Sequence, residues 1–504
     1  MTYQKHIDIS KSRYTLFRQC PKALWLKTYK PVLCVISDAL QQRFNAGSAV
    51  GELAKGLFGK YTDVTSYSEG GKLDVKRMLA DTLDCINSGV DVICEAAFQH
   101  DGNYCAVDIL KNENSGYAIY EVKSSTDSDK EVYAQDVTYQ KYVLTKCGVN
   151  VTGTYLICIN SDYVLDGELD IHSLFQVQDI SEAVAQEYPV VECQLAEAKQ
   201  MLAQTDTEPD VDIDVHCHKP YDCAFWGYCS RHLPKQSVFD LYRMNFNKKI
   251  AYYQQNIITY EQLQNEELNE KQRMQVECSI NDTIYINKVE IAKFLSTLSY
   301  PLYFLDFETM QPVIPEFLGT HPYQQIPFQY SLHYIEQEGG ELKHKEFLGT
   351  SGEDPRRTLA EQLCADIPMN VCVTAYNKAF ECTRLTELAD TFPDLAEHLL
   401  NIRDHIIDLL VPFQSGWYYV PAMGGSFSIK SVLPALFPND PELDYHNLSG
   451  SVHNGGEAMS VFPKIKDMTL DEQKAARQSL LKYCELDTYA MVKVWQKLRE
   501  VAES

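Results

Sequence analysis

Acidic side chains that could bind divalent metal ions occur in two separate parts of the 504-residue chain. In the first part, Asp108 lies in the apolar run 106–110, and Glu121 and Lys123 end another apolar run. Both runs have the composition of buried strands, where an unpaired charge is costly. Alternation along a strand places Glu121 and Lys123 on one face. Two carboxylates could hold a metal ion there while the lysine orients or deprotonates an attacking water.

The second acidic set begins with Asp306 and Glu308 at the end of the apolar run 302–307. The two carboxylates share one face of the predicted strand and would repel each other unless cations bridge them. Glu381 follows at the start of a predicted helix, and Asp487 lies four residues after Tyr483, on the same helical face. A divalent metal is the usual reason for such acids, so two sites suggest phosphodiester chemistry at each.

A cysteine cluster is the third candidate. Cys217, Cys223 and Cys229 have the spacing Cys-x5-Cys-x5-Cys, and Cys20 is a candidate fourth ligand. Three thiols within thirteen residues favour a metal over chance. The spacing alone does not distinguish tetrahedral zinc from an iron–sulfur cluster, because both accept four thiolates.

The elements that must position these residues follow from the hydrophobic spacing. The pattern predicts an α/β protein with a domain at 1–235, a helical connector at 236–285 and a second domain at 286–504. In the first domain we expect helices at 8–30, 40–60, 130–146 and 192–204, and strands at 92–98, 104–110, 117–123 and 153–159. In the second we expect strands at 303–307, 328–334 and 371–375, and helices at 378–390 and 470–500.

Composition restricts the possible classes of protein. No apolar run approaches the roughly 18 residues that span a bilayer, and the N-terminal residues lack the apolar segment of a secretory signal. We therefore expect a cytoplasmic protein without a membrane partner, in which cysteines stay reduced. The net charge of −25 argues against a protein that coats nucleic acid. It does not exclude a nuclease, because metal ions neutralise the acids of the active site.

The order Asp108, Glu121-Val122-Lys123, Gln135 and Tyr139 resembles the RecB-like branch of the PD-(D/E)XK nucleases, including the CRISPR-associated RecB-like exonucleases and the AddB nuclease domain. This resemblance implies a restriction-endonuclease-like domain that cleaves DNA with Mg²⁺ or Mn²⁺. Asp108 and Glu121 would bind the metal, Lys123 would be catalytic, and Gln135 and Tyr139 would form the Gln/Tyr motif. Many relatives also have a metal-binding histidine where this chain has Gly51; Glu52 or Glu95 could compensate.

The cysteines are similar to those of iron–sulfur RecB-like nucleases, which have one cysteine before the nuclease core and three after it. The resemblance implies a 4Fe–4S cluster held by Cys20, Cys217, Cys223 and Cys229, which would join the two ends of the domain. A Cys₃His zinc site with a nearby histidine is the alternative.

The motifs around Asp306, Glu381 and Asp487 resemble the DEDD 3′–5′ exonucleases of the DnaQ-like, RNase H-like superfamily. The ending Tyr483-x-x-x-Asp487 is that of the tyrosine subtype. The resemblance implies that Asp306, Glu308, Glu381 and Asp487 hold two Mg²⁺ or Mn²⁺ ions and that Tyr483 orients the attacking water. Glu381 departs from the usual aspartate by one methylene. In the segment 424–430, Ser428 and Lys430 are candidates for phosphate contact.

The full arrangement resembles a bacterial family of unassigned function. It leads us to expect a metal-dependent nuclease with two active centres that acts on single-stranded DNA or DNA ends, with 3′–5′ exonuclease activity, in repair or defence against foreign DNA. An RNA-processing exonuclease and a catalytically weak nucleic-acid-binding adaptor are the alternatives.

Overall fold

The computed structural model describes residues 8–36, 38–113, 115–126 and 130–504; the N-terminal residues used in the secretory-signal argument lie outside these ranges. The chain forms two compact units, residues 1–232 with 312–324, and residues 233–311 with 325–504. Each unit contains helices and a mixed sheet, which confirms the predicted α/β fold of two domains. The segment 236–285, predicted as a connector, lies within the second unit.

The first unit contains a seven-stranded sheet with the order β2-β3-β4-β5-β6-β7, and β1 pairs with β4. The pairs β3–β4, β4–β5 and β6–β7 are antiparallel, whereas β1–β4, β2–β3 and β5–β6 are parallel. Because β4 and β5 are neighbours, Asp108 and Glu121 lie on adjacent strands. The strands are β1 Ile9–Ser10, β2 Thr62–Asp63, β3 Val92–His100, β4 Asn103–Glu113, β5 Gly116–Val122, β6 Val151–Ile159 and β7 Phe175–Asp179.

Helices cover this sheet, and α5 packs on it through buried residues such as Val137 and Tyr139. The predicted helix 8–30 is two helices separated at Cys20. The reason is Pro21, which disfavours helical geometry in the preceding residue and begins the next helix; Cys20 is extended, with a φ of −159°. The helices are α1 Lys11–Gln19, α2 Pro21–Tyr29, α3 Asp38–Ala54, α4 Val75–Asn87, α5 Lys130–Lys146, α6 Ile171–Leu174, α7 Ser181–Glu187, α8 Val191–Ala203 and α9 Trp226–Cys229.

The segment 312–324 lies between two strands of the second unit but belongs to the first. Val313 packs in the core cluster formed by one face of the sheet. The Leu165 amide donates to the carbonyl of Thr320 over 2.9 Å, and the Tyr323 hydroxyl donates to the carbonyl of Ser124, next to Lys123. This segment therefore completes the structure around the end of β5.

The second unit has a five-stranded sheet with the order β11-β10-β9-β12-β13 and a small two-stranded sheet. The strands β9, β12 and β13 are parallel, whereas β10 is antiparallel to both of its neighbours. The central β9 is almost entirely buried, which explains its apolar sequence. The strands are β8 Tyr285–Ile286, β9 Leu302–Met310, β10 Ile326–Ile335, β11 Lys343–Leu348, β12 Cys372–Ala375, β13 Ile406–Asp408 and β14 Tyr418–Tyr419.

The longest helix, α20, begins with a capping box in which Thr469 and Glu472 satisfy each other's backbone amides. Its buried residues recur every three or four positions, and this stripe packs across β9 and β10. The helices are α10 Phe246–Gln254, α11 Tyr260–Leu263, α12 Glu270–Asn281, α13 Lys288–Leu295, α14 Arg356–Asp366, α15 Ala379–Thr391, α16 Ala396–Asp404, α17 Val411–Gln414, α18 Ile429–Leu436, α19 Gly455–Val461 and α20 Leu470–Glu503.

Two further findings concern the whole described chain. None of its helices combines the length and the apolar character that crossing a membrane requires. No disulfide joins any of the sixteen cysteines, all of which lie in the described ranges.

Gly425 provides a test of the packing in the second unit. Its φ is +79°, and a Cβ atom there would lie 2.0 Å from the Asp240 carbonyl oxygen and 2.6 Å from Nε2 of Gln275. Gly424 also has a positive φ, of +60°, but a Cβ atom there meets nothing within 4 Å. Gly425→Ala should therefore lower the free energy of unfolding by about 2–4 kcal/mol more than Gly424→Ala. Urea denaturation followed by circular dichroism measures both; equal losses would contradict this packing.

Candidate metal centres

The second unit brings four acidic side chains together at the middle of its sheet. Asp306 and Glu308 lie on one face of β9, and their ligand oxygens lie within 4.8 Å of each other and of Sγ of Cys484 on α20. Asp487 lies on α20 one turn further along, and Glu381 lies in the first turn of α15. The charges of Asp487, Glu308 and Glu381 all act on Asp306. The structure thus brings together the four acids that the sequence predicts.

Burial and mutual repulsion make these carboxyl groups hard to ionise together. Burial, followed by repulsion from the other acids, raises the pKa values of Asp306 and Glu308 well above their usual range. Burial raises the pKa of Asp487 to about 6. The basic side chain that acts on these three groups is Lys430. One ammonium group does not balance these three carboxylates, and the charge of Arg384 acts on the fourth acid, Glu381, without bringing its pKa down to the usual value. The site therefore favours added positive charge.

Glu381 gives a direct test of whether these residues suit a metal ion. The side chain is 3% exposed, and its Oε2 atom is buried without a hydrogen-bond partner. Burial, with repulsion from Asp408, raises its pKa to about 8. A buried oxygen without a partner is unfavourable unless something else binds it. The orphaned oxygen and the chemistry of the acids both fit an oxygen-binding divalent cation.

Asp408 has a different task from the four acids. Its carboxylate accepts hydrogen bonds from the backbone amides of Asn377 at 2.9 Å, Leu410 at 2.9 Å and Lys378 at 3.2 Å. These contacts hold the turn that leads into α15. Asp408 therefore positions the helix that carries Glu381.

Two tyrosines and one lysine complete the site. The Tyr445 hydroxyl donates to Oδ1 of Asp487 over 2.6 Å, and Tyr483 also bonds Asp487. Nζ of Lys430 lies 5.6 Å from the ring centroids of both tyrosines. The sequence identifies Tyr483 and Lys430 but misses Tyr445. It lies in a short turn without periodic spacing, so no sequence pattern connects it with Asp487.

A cavity of about 830 Å³ adjoins this site and is lined by Lys430, Tyr445, His453, Asn454 and other residues. Its volume falls within the range of small-molecule binding sites. The backbone at the start of α19 also comes close, since a Cβ atom on Gly455 would lie 3.6 Å from Oε2 of Glu308. Polar groups and a cation therefore surround the acids on their open side.

In the first unit, Glu121 is 1% exposed and is held on both oxygens. Oε1 accepts from Nζ of Lys11 at 2.6 Å and of Lys123 at 2.8 Å, and Oε2 accepts from Nε2 of Gln140 at 2.8 Å. Although burial opposes ionisation, the two ammonium groups lower the pKa of Glu121 to about 2. Lys123 also pairs with Asp136. The protein's own cations thus balance much of the charge here.

Asp108 and Glu95 are the other acids of this site. Asp108 accepts from the Val122 amide over 2.7 Å, and burial with repulsion from Glu121 raises its pKa to about 6. Burial and the charge of Asp108 raise the pKa of Glu95 to about 7. Glu95 has a φ of +57° and interrupts the pairing of β3 with β4 opposite Asp108. Glu52, in contrast, pairs with Lys55 at 2.6 Å. Of the two compensating acids proposed from the sequence, Glu95 is the one beside Asp108.

The predicted Gln/Tyr pair is divided between two environments. Gln135 lines a cavity of about 550 Å³ together with Lys11 and Lys123. Tyr139 is completely buried, and its hydroxyl donates to the carbonyls of Ile9 and Tyr104. Ile9 belongs to β1, so this contact anchors the strand that leads directly to Lys11. Tyr139 therefore positions the site through β1.

Lys11, Asp136 and Gln140 also belong to this site, although the sequence motifs do not include them. Lys11 follows a two-residue strand that is too short to predict from its sequence. Asp136 and Gln140 lie four residues apart on α5, a spacing that places them on one helical face. That spacing is as regular as the one between Gln135 and Tyr139 and could have identified them.

The four predicted cysteine ligands line one small cavity in the first unit, together with Lys22, His216, Phe225 and other residues. The thiols of Cys20 and Cys229 lie close enough to Cys217 and Cys223 to raise the pKa values of these two cysteines. Burial raises the pKa values of Cys217 and Cys223 to about 11. Four clustered thiols, two of them buried and two half-buried, suit a soft metal or a cluster, whose binding would release their protons.

The backbone holds these cysteines in place. Cys20 lies between α1 and α2, and the Cys223 amide donates to the Cys217 carbonyl over 2.9 Å. Gln19 donates to the carbonyls of His216 at 2.9 Å and Tyr221 at 2.6 Å. These bonds tie the helix before Cys20 to the loop that carries the other three cysteines.

Comparison with known families gives one match. A family described as a domain of unknown function, DUF2779, matches residues 303–428. This segment includes Asp306, Glu308, Glu381 and Asp408, and it ends before Lys430. Neither the curated proteins nor the solved structures gave a match.

The raised pKa of Glu381 predicts a pH-dependent stability difference in the metal-free protein. Because the pKa of Glu381 is higher in the folded than in the unfolded state, this group contributes stability that is fully present below about pH 4.5. That stability is lost as the pH rises through about 8. Glu381→Gln removes this loss. Between pH 5 and pH 8, its free energy of unfolding should therefore rise by about 2 kcal/mol relative to that of the wild type. Denaturation at several pH values with a chelator measures the difference. Glu397→Gln, on an exposed side chain of α16, is the control, and an equal gain there would refute the assignment.

Proposed function

We propose that this chain is a metal-dependent nuclease that cleaves DNA from 3′ ends, with its principal active site in the second unit. The observation that supports this most is the group of four largely buried acids around Lys430, with one oxygen of Glu381 left without a partner. Structural acids in a protein core are paired with cations or hydrogen-bond donors. Acids that remain underbalanced favour a site that binds cations.

The sheet topology supports the resemblance to RNase H-like exonucleases. Numbered from β9, the sheet has the strand order 3-2-1-4-5, with the second strand antiparallel to the others. The first acids lie on the central strand and the last on the helix that crosses it. These placements are those expected of a DEDD exonuclease.

In this proposal, Asp306, Glu308, Glu381 and Asp487 hold the metal ions. Two bound Mg²⁺ or Mn²⁺ ions would stabilise the attacking and leaving oxygens of an in-line displacement. Tyr483 orients the attacking water from α20, and Tyr445 keeps Asp487 in position through its 2.6 Å hydrogen bond. Lys430 attracts the phosphodiester backbone to an otherwise negative site. The adjoining cavity receives the terminal nucleotide.

The first unit is proposed as a second nuclease centre of the RecB-like kind. Glu95, Asp108 and Glu121 supply the metal ligands, and Lys123 positions the attacking water. Lys11 and Lys123 already balance two of the negative charges. The negative charge that remains in this centre suits fewer metal ions than the acidic site of the second unit.

For the cysteine cavity, we favour an iron–sulfur cluster over zinc. The described residues contain two groups of three ligand atoms within 4.8 Å of one another, and the four cysteine sulfurs are in neither. A zinc–sulfur distance of about 2.3 Å requires tetrahedral sulfurs to lie about 3.8 Å apart. A cluster places iron and sulfide between the thiolates and suits a wider arrangement. Sixteen cysteines without a disulfide also agree with a cytoplasmic location.

End-labelled single-stranded DNA tests the assignment of the principal site. With Mn²⁺ or Mg²⁺, Asp306→Asn should reduce the release of 3′ nucleotides by about 10³-fold, equivalent to about 4 kcal/mol of transition-state stabilisation. The matched control is Asp390→Asn, an exposed aspartate of α15, which should retain wild-type activity.

Three comparisons make this test decisive. Full activity of Asp306→Asn would refute the principal site. Asp108→Asn should remove only the part of the cleavage that Asp306→Asn retains, because the two proposed centres use different acids. Labelled RNA tests the remaining alternative. If the wild type cleaves RNA in preference to DNA, and Asp306→Asn abolishes that cleavage, the site would be assigned to RNA processing.

The cluster proposal predicts a brown protein when it is purified without oxygen. Cys223→Ser should lose the absorbance and most of the iron, whereas Cys193→Ser, an exposed cysteine of α8, should keep both. Iron analysis and visible spectroscopy measure the outcome. A colourless wild-type protein that contains zinc, and that loses this zinc in Cys223→Ser but not in Cys193→Ser, would establish the zinc alternative.

A further inference from the structure

The second compact group of ligand atoms lies outside the sites described above. One ring nitrogen each of His333 and His344 and one carboxylate oxygen of Glu485 lie within 4.8 Å of one another. His333 belongs to β10, His344 to β11 and Glu485 to α20. No motif in the sequence analysis includes these three residues, which are far apart in the chain.

The strand register explains why these residues meet. His333 and His344 are direct partners in the antiparallel pairing of β10 with β11, so their side chains lie on the same face of the sheet. Their ring centroids are 4.5 Å apart. That face is the one covered by α20, as the hydrogen bonds from β10 to Thr488 demonstrate.

A chain of hydroxyl groups connects one nitrogen of each imidazole. The Thr488 hydroxyl lies 3.1 Å from the Glu485 carbonyl, 2.7 Å from Oγ of Ser331 and 2.8 Å from Nδ1 of His333. Oγ of Ser331 lies 2.9 Å from Nε2 of His344. When Thr488 donates to this carbonyl, which only accepts, Ser331 donates to Thr488.

With both hydroxyl protons used, each histidine must donate to its hydroxyl partner. His333 is then protonated at Nδ1 and His344 at Nε2, which leaves a lone pair on the other nitrogen of each ring. Metal-binding histidines have this arrangement, in which the second ring nitrogen donates to a fixed acceptor.

The group is accessible on one side. His333 is buried and His344 is half-buried, whereas Glu485 is exposed. Glu346, two residues after His344 on β11, is also exposed, and it pairs with Ser331, so its side chain lies on the same face of the sheet as His344. A carboxylate is therefore available as a fourth ligand from the solvent side.

We propose that His333, His344 and Glu485 form a binding site for a divalent transition-metal ion of the zinc type, with Glu346 as the additional ligand. Two imidazoles and a carboxylate are ligands that zinc prefers, whereas the four carboxylates around Asp306 suit Mg²⁺ or Mn²⁺. A bound ion would join α20 to the outer hairpin of the sheet. Because Glu485 lies between Tyr483 and Asp487, it would also steady the helix that carries them. This site does not depend on the proposed nuclease activity.

Zinc binding to the full-length protein tests the site. Chelator-treated wild-type protein, His344→Ala and Glu485→Gln are titrated with Zn²⁺, and the bound metal is counted after desalting by elemental analysis. Wild type should retain one equivalent more than His344→Ala. Glu485→Gln should weaken that equivalent at least about tenfold. The ion should also raise the thermal midpoint of wild type more than that of either variant.

The matched control is His398→Ala, which removes a half-buried histidine of the same unit whose Nε2 bonds the Ile367 carbonyl. It should retain the wild-type zinc content. Equal zinc content and affinity in wild type, His344→Ala and Glu485→Gln would overturn the proposal, as would an equal loss in His398→Ala. Glu485→Gln changes an exposed side chain, so it keeps the test valid if His344→Ala does not fold.

Discussion

Repulsion between carboxylates that cannot move apart determines the electrostatic properties of the acidic site in the second unit. Asp306 and Glu308 are fixed on the central strand, and α15 and α20 bring Glu381 and Asp487 towards them. The unfavourable free energy of this arrangement is offset by the surrounding core, which buries the apolar residues of β9 and α20. Rigid support is necessary because flexible acids would separate. The same rigidity means that a cation would find its ligands already in place, with little to reorganise.

The first unit handles its charge differently. Lys11 and Lys123 approach Glu121 directly, and Gln140 occupies its other oxygen. Tyr139 contributes through the backbone, since it anchors the short β1 strand from which Lys11 extends. Similar acidic patterns in the sequence thus lead to two electrostatic environments. One is close to balanced by the protein itself, and the other keeps an excess of acidic groups over basic ones.

The sequence was informative where chemistry and periodicity agree. The apolar run of β9 and the spacing of α20 predicted the placement of Asp306, Glu308 and Asp487. The two-domain α/β fold followed from the same patterns. Tyr445 and Lys11 could not be predicted, because an irregular turn and a two-residue strand have no periodic signal. The pair His333 and His344 could not be predicted either, since only the register of two strands brings them together. Pro21, in contrast, stood in the sequence and could have indicated the break at Cys20.

The excursion of residues 312–324 makes the first unit discontinuous in the chain. A fragment ending at residue 232 would lack Val313, Thr320 and Tyr323, and would leave the Ser124 carbonyl without its tyrosine donor. During synthesis, the amino-terminal unit therefore cannot acquire all its contacts until the ribosome has passed residue 324. A single crossover in the gene would therefore not exchange either unit intact.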